Sequence, residues 1–307
     1  MRIVVNTPAG NIGRVVTQQL LEAGEDVVII SRHPSKVMDL VGRGAHLVEG
    51  SIDDTNILDR ALKGADAIFW LTPFAFDQPN YLDWARRTGR AAAETVKTHG
   101  IQRVVLISSV GAQHDSGVGP IACLPAIEKA FAEAAPNVTS LRAGSFMENF
   151  LSNAGMIAAT GTIFAPHPAK KRFPMVATRD IAAKSVEALR DLGWGGFRIV
   201  GIHGPEDLDQ SSAAQIIGEG IGRPVKYVEV TVDQAKLGML EAGLPAYVVE
   251  LLGDMYTGFR EGRMERAEQR SPETTTPTTL LEFARQVLKP AVEAASRRPA
   301  LAGVAAD

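Results

Sequence analysis

The chain is 307 residues long, 45% hydrophobic and 22% charged, enough for one large or two small hydrophobic cores. Its net charge of −3 is spread along the sequence and leaves no basic footprint for nucleic acid or an acidic membrane surface. One cysteine, Cys123, excludes an internal disulfide framework, the six histidines are scattered singly with no metal-ligand spacing, and no apolar run approaches the roughly 18 residues of a membrane span. With strand-like sequence beginning at residue 2 there is no room for a signal peptide, and a cytoplasmic location is expected.

Arg2-Ile3-Val4-Val5-Asn6 reads as a buried strand that turns through Thr7-Pro8-Ala9-Gly10-Asn11-Ile12-Gly13 into a helix over 11–23. A strand, a glycine turn and a helix N-terminus together present free backbone N–H groups to an anion, the arrangement that holds a dinucleotide pyrophosphate. Gly10 lets the backbone approach the phosphates and Gly13 lets the helix pack closely on the strand. Thr7 stands where the full G-x-x-G-x-x-G spacing has glycine, so the turn is made there either without positive φ or with strain. The second strand, 26–30, ends at Ser31-Arg32-His33-Pro34-Ser35-Lys36. A carboxylate at that point reads the ribose 2′-hydroxyl of NAD, whereas arginine accommodates the 2′-phosphate of NADP. Ser31-Arg32, with Lys36 one turn into the next helix, therefore points to NADP(H) over NAD(H).

Further strands are expected at 46–49, 67–71, 104–108 and 138–142, separated by helices around 35–43, 55–63, 80–99 and 124–135. This alternation specifies an α/β fold with a doubly wound parallel sheet. Ligands of such sheets lie at the carboxyl ends of the strands, which carry Thr7 to Gly13, Ser31-Arg32, Thr72-Pro73-Phe74, Ser108-Ser109 and Ala143-Gly144-Ser145-Phe146. The second half differs. Phe173 to Ala177 leads into a helix running to Leu192, with Thr178 or Asp180 placed to cap it, and Phe197 to Gly201 reads as a strand added to the main sheet. A helix over 211–220, a strand over 225–230 and helices over 233–242, 245–262 and 278–289 follow, the last three expected as a lid over the crevice. The expected division is a dinucleotide-binding domain over 1–150, to which 176–203 returns, a smaller interleaved substrate region over 151–175 and 204–295, and a frayed tail over 296–307.

The glycine loop, Gly50-Ser51-Ile52-Asp53-Asp54, Ile107-Ser108-Ser109-Val110-Gly111, Leu141 to Asn149, Arg179-Asp180-Ile181-Ala182 and Gly201-Ile202-His203-Gly204-Pro205-Glu206 occur in an order and spacing that resembles the NmrA-like branch of the atypical, extended short-chain dehydrogenases, over nearly the whole chain. The resemblance implies a Rossmann fold and a nicotinamide dinucleotide, usually NADP(H), bound without a flavin. It implies either reduction of quinones, dyes or plant phenylpropanoids, or sensing of the nucleotide. The superfamily's Tyr-x-x-x-Lys acid is absent: aligning the family's glutamate with Glu128 puts Leu124 at the lysine and Pro120 at the tyrosine, and Lys129 lies on another helix face.

A ketone needs a proton as hydride arrives, help worth about 10²–10⁴-fold. Acceptors whose electrons delocalise after hydride addition fit the missing acid better. The sequence is therefore read as an NADPH-dependent reductase of a small conjugated or aromatic acceptor, a quinone, dye or imine, with a non-catalytic NADP(H) sensor and an isomerase as alternatives. Ser108, Ser109 and His114 remain the polar candidates near the chemistry, Phe74, Phe146 and Tyr81 the pocket walls, Arg142 and Cys123 structural residues, and the apolar helices at 124–135 or 245–256 a possible homodimer face.

Overall fold

The computed structural model describes residues 1–297. In the first half β1 (Arg2–Asn6), α1 (Asn11–Glu22), β2 (Asp26–Ser31), α2 (Met38–Gly42), β3 (His46–Glu49), α3 (Thr55–Leu62), β4 (Ala67–Leu71), α4 (Tyr81–Thr98), β5 (Arg103–Ser109), α5 (Leu124–Ala134) and β6 (Asn137–Ala143) alternate in order. The second half adds β7 (Ser145–Phe146), α6 (Ala154–Thr160), β8 (Thr162–Ala165), β9 (Phe173–Val176), α7 (Thr178–Arg190), β10 (Gly196–Ile202), β11 (Asp207–Leu208), α8 (Gln210–Ile221), β12 (Lys226–Glu229), α9 (Val232–Glu241), α10 (Ala246–Arg260), α11 (Leu280–Phe283) and α12 (Lys289–Ser296).

Seven strands form one parallel sheet in the order β10-β6-β5-β4-β1-β2-β3, with β10 supplying the added strand. Its strands are near-continuous apolar runs because both faces are covered. Val5, Ile29, Phe69 and Val105 pack against α1, α2 and α7, while Val4, Val28, Trp70 and Leu106 pack against α3, α4 and α5. A second core, built from Phe150, Ile157, Ile163, Phe173, Ile217, Phe259, Phe283 and Leu288, joins α6, α8, α10, α11 and α12 to the small sheets β11-β9-β7 and β12-β8.

Several local expectations change. The helix expected over 35–43 is a 3₁₀ turn, Pro34–Lys36, followed by α2, because Val37 at φ −132° interrupts it. Neither Thr178 nor Asp180 caps α7. The Glu148 carboxylate accepts from the Thr178 amide at 3.0 Å and hydroxyl at 2.6 Å, supplying the negative charge that end needs. Asp180 is committed elsewhere, accepting from the Thr278 amide and hydroxyl at 2.9 and 2.7 Å. The segment 278–289, expected with two other helices as a lid, packs in the second core, where Leu280, Phe283, Ala284 and Leu288 bury a helical stripe against α6 and α8. Ser296 ends α12 and is not frayed, while the tail over 298–307 lies outside the described residues.

Between β1 and β4 the strand order reverses, and the backbone ladder there pairs only Ile3 to Val5 with Ala67 to Phe69. One residue further, the buried Asn6 side chain takes over: its Nδ2 donates to the Leu71 carbonyl and its Oδ1 accepts from the Leu71 amide, both at 2.8 Å. The next residue, Thr7, sits at φ +55°, the sole non-glycine with positive φ among the described residues. A β-branched side chain in that region costs about 1–2 kcal/mol. Thr7→Gly removes the clash and returns roughly 0.5–1 kcal/mol as lost chain entropy. Its expected net effect is a stabilisation of at most about 1 kcal/mol, read as a rise of a few degrees in Tm; a lower Tm would show that the turn is not strained.

A second measurable consequence lies in the second core. The His167 ring stands among Phe173, Tyr256 and Phe259, with centroids at 5.9, 5.3 and 4.4 Å, and burial, helped by Arg260, pushes it down to about 4. The unfolded chain takes up this proton near pH 6.5, the folded chain near 4, so the stabilisation is complete above 6.5 and is lost as pH falls toward 4. Urea unfolding at pH 7 and pH 4.5 should show wild type losing about 2 kcal/mol more than His167→Phe; equal losses would place the acid sensitivity elsewhere.

Candidate functional site

The crevice is built from the loop after β1. The Gly10 amide donates to the Thr7 carbonyl at 3.1 Å, and α1 begins with the Arg14 amide on the Gly10 carbonyl at 3.0 Å. No side chain caps α1, so the Asn11, Ile12 and Gly13 amides of its first turn have no intrahelical partner. A Cβ at Gly13 would lie 2.4 Å from the Thr7 carbonyl oxygen, so helix and loop touch there as backbone. At Gly10 the protein itself leaves ordinary room, with Thr7 O at 3.5 Å. The Thr7 hydroxyl is buried without a hydrogen-bond partner. Free amides, a bare helix end and an orphaned hydroxyl fit the pyrophosphate of a dinucleotide.

At the end of β2 the Ser31 hydroxyl is buried and bonded to the His33 amide at 3.1 Å, while Arg32 and Lys36 are exposed. Arg14, from α1, pairs with Asp39 at 2.6 Å and donates to the Lys36 carbonyl, tying the cofactor-side helix to this turn. Two carboxylates that the sequence reading passed over stand near Arg32. Asp77 lies 3.8 Å from the guanidinium. Asp53 accepts from the Trp84 indole at 2.9 Å, and hydrogen bonds from Ser51 and Trp84, with the nearby Arg32 charge, hold it below the usual carboxylate range. Both come from other loops, so only the folded chain brings them to Arg32.

Beyond, the ends of β4, β5 and β6 meet. The Thr72 hydroxyl accepts from the Trp70 indole at 3.0 Å, leaving Pro73 and Phe74 to leave the strand. The Ser108 hydroxyl is buried and unpartnered; Ser109 is half-buried, and His114 follows in a turn closed by its own amide on the Gly111 carbonyl at 3.0 Å. The Gly144 amide bonds the Ile202 carbonyl at 2.9 Å, and Ser145 and Phe146 pair with β9. Phe74 and Tyr81 are brought together, centroids 4.9 Å apart, on the α3–α5 side, whereas Phe146 packs on the opposite face of the sheet.

Pro120 lies in a 3₁₀ turn, Gly119–Cys123, and Leu124 opens α5. Over them lies α10. Asp254 accepts from the Gly119 amide at 2.9 Å. A Cβ at Gly119 would stand 2.3 Å from the Leu251 carbonyl, and one at Gly258 2.1 Å from the Gly117 carbonyl. The backbone of α10 therefore closes on the Gly117–Gly119 turn that immediately precedes Pro120. Cys123 is buried there and its thiol is pushed up to about 11 by burial, so it packs and does not react. Glu128 is a structural anchor, accepting from Arg142 Nε at 3.0 Å and Nη2 at 2.6 Å and from the Ser140 hydroxyl at 2.6 Å. Lys129 faces solvent and pairs with Glu133.

A cavity of about 440 Å³ lies beside these strand ends, between β9 and the segment after α10, with Pro174, Phe259 and Met264 as apolar wall and Lys171, Arg266 and Asp207 at its polar side. Pro174 adjoins Gly144 and Met264 adjoins Gly111, so the apolar wall abuts the ends of β6 and β5. Its lining comes mainly from two short runs, 171–174 and 264–269, that lie about 90 residues apart and carry no recognisable motif. No helix is long and apolar enough to cross a membrane, and no cluster of three or more metal-binding side chains forms, among the described residues.

The family model described as the NmrA-like family matches residues 1–284. The chain is 30% identical over 255 residues to an NAD(P)H azoreductase of Xenophilus azovorans, covering 83% of this chain and 86% of that one. It is 29% identical over 294 residues to a (4-alkanoyl-5-oxo-2,5-dihydrofuran-3-yl)methyl phosphate reductase of Streptomyces griseus, covering 88% of this chain and all of the relative. In fold it is similar to an NADPH-dependent quinone oxidoreductase of Escherichia coli crystallised with NADPH, with a TM-score of 0.78 at 20% identity over 92% of this chain and 98% of that one. A matching model over nearly the whole length, together with the seven-stranded sheet and glycine loop, makes the chain a member of the NmrA-like family.

Proposed function

We propose that the protein is an NADPH-dependent reductase of a small conjugated or aromatic acceptor such as a quinone, a dye or an imine. NADPH, when bound, supplies the hydride. The Asn11, Ile12 and Gly13 amides hold its pyrophosphate, Arg32 and Lys36 its 2′-phosphate, and Thr72, Pro73 and the 143–146 loop set the nicotinamide beside the acceptor. Phe74 and Tyr81 serve as an apolar wall, whereas Phe146, packed on the opposite face of the sheet, is not part of it. Ser108 and Ser109, at the end of β5, orient the bound partners, and proximity supplies several kcal/mol.

The observation that carries this reading is that Pro120 and Leu124 stand where a ketone reductase of the superfamily has its tyrosine and lysine, in a turn that Asp254 of α10 holds through the Gly119 amide. The acceptor must then spread the arriving electron pair itself and take its proton from water. The azoreductase relative, at 30% identity, is named for a reaction on that kind of conjugated system.

NADPH consumption with a quinone, a triphenylmethane dye and an azo dye, against a simple ketone, tests it. Turnover of one or more conjugated acceptors is expected, with the ketone slower by at least about 10²-fold. Binding of NADPH without hydride transfer to any of them would overturn the reading and leave a nucleotide sensor; a product of the same mass as its substrate would mark an isomerase.

A further inference from the structure

The residue that reads the 2′-phosphate already has a partner. Arg32 Nη1 lies 3.8 Å from Asp77 Oδ2, and both side chains are more than half exposed, so the pair sits where a ligand can reach it. The Asp77 loop is held on one side by Phe74, whose ring is tilted against Phe76 at 4.6 Å and meets Tyr81 edge-on at 4.9 Å, and on the other by Tyr247 of α10, whose hydroxyl donates to the Phe76 carbonyl. A second carboxylate, Asp53, is kept ionised by Ser51 and Trp84 within the field of Arg32. Arg14 adds little to this end, because its charge is matched by Asp39.

We propose that Asp77 is a specificity-determining residue: it pairs with Arg32 and competes with the 2′-phosphate of NADPH, narrowing the preference for NADPH over NADH. The inference rests on the reading of Arg32 as the phosphate ligand. NADH, whose 2′-hydroxyl carries no charge, leaves the Arg32–Asp77 pair in place. NADPH must displace the carboxylate and then keep a phosphate of charge near −2 beside it. An exposed pair is worth at most about 1 kcal/mol, some fivefold in affinity, and relief of phosphate repulsion raises the gain to roughly tenfold.

The test is calorimetric titration of the whole protein with NADPH and with NADH, for wild type, Asp77→Asn, Asp77→Ser and Arg32→Gln, with thermal melts to establish folding. Expected is a three- to tenfold tighter NADPH Kd in both Asp77 variants at low salt, a gain that shrinks as salt screens it. NADH binding should change less than twofold, and Arg32→Gln should weaken NADPH alone. Asp77 variants that leave NADPH binding unchanged, or tighten both nucleotides equally, overturn the proposal while Arg32 remains the phosphate ligand. An Arg32→Gln variant that binds NADPH as wild type does overturns both the proposal and the cofactor reading.

Discussion

The divergence of β1 and β4 is the constraint on which the crevice depends. Parallel strands that stayed paired to their ends would leave no opening between them, and strands that parted too early would leave buried amides unpaired. Asn6 resolves this with one side chain: its amide group imitates a backbone, closing the ladder on Leu71 while the main chain turns away into Thr7. That turn brings the loop carbonyls against Gly13 and aims the start of α1 at the opening. The strain at Thr7 is held by the sheet, buried on both faces, on one side and by the helix packed on it on the other.

The second organising contact is the buried pair of Glu128 and Arg142. It fixes α5 against β6 with two hydrogen bonds, joined by a third from the Ser140 hydroxyl to Glu128, and lets Arg142 also donate to the Ala112 carbonyl at 3.3 Å, so the strand end, the helix and the loop after β5 are set as one body. Removing one partner of such a pair costs about 3–5 kcal/mol, because the other charge is left buried. In this chain the carboxylate on α5 therefore belongs to the scaffold.

The parallel sheet was legible because its signal is local: apolar runs, glycine turns and helical stripes recur at regular intervals from Arg2 to Ala143. The glycine loop was legible for the same reason. What the sequence could not show are the meetings of distant residues. Glu148 caps α7 from 30 positions away, displacing Thr178 and Asp180 from that role. Asp77 reaches Arg32 across 45 residues of chain, and the cavity wall joins Pro174 to Met264. The segment 278–289 was legible as a helix, but which surface it would cover depended on α6 and α8, whose relation to it no periodicity encodes. Val37, breaking the helix after β2, shows the limit at short range, where one backbone angle outweighs the pattern.

The close seat of α10 on the Gly117–Gly119 turn also bears on descent. A Cβ cannot be added at Gly119 or Gly258 without colliding with main chain of the opposite segment, so neither position can accept another residue while the helix stays where it is. Any lineage that changes either glycine must first withdraw α10. The arrangement acts as a ratchet, in which a backbone contact keeps two positions committed to glycine.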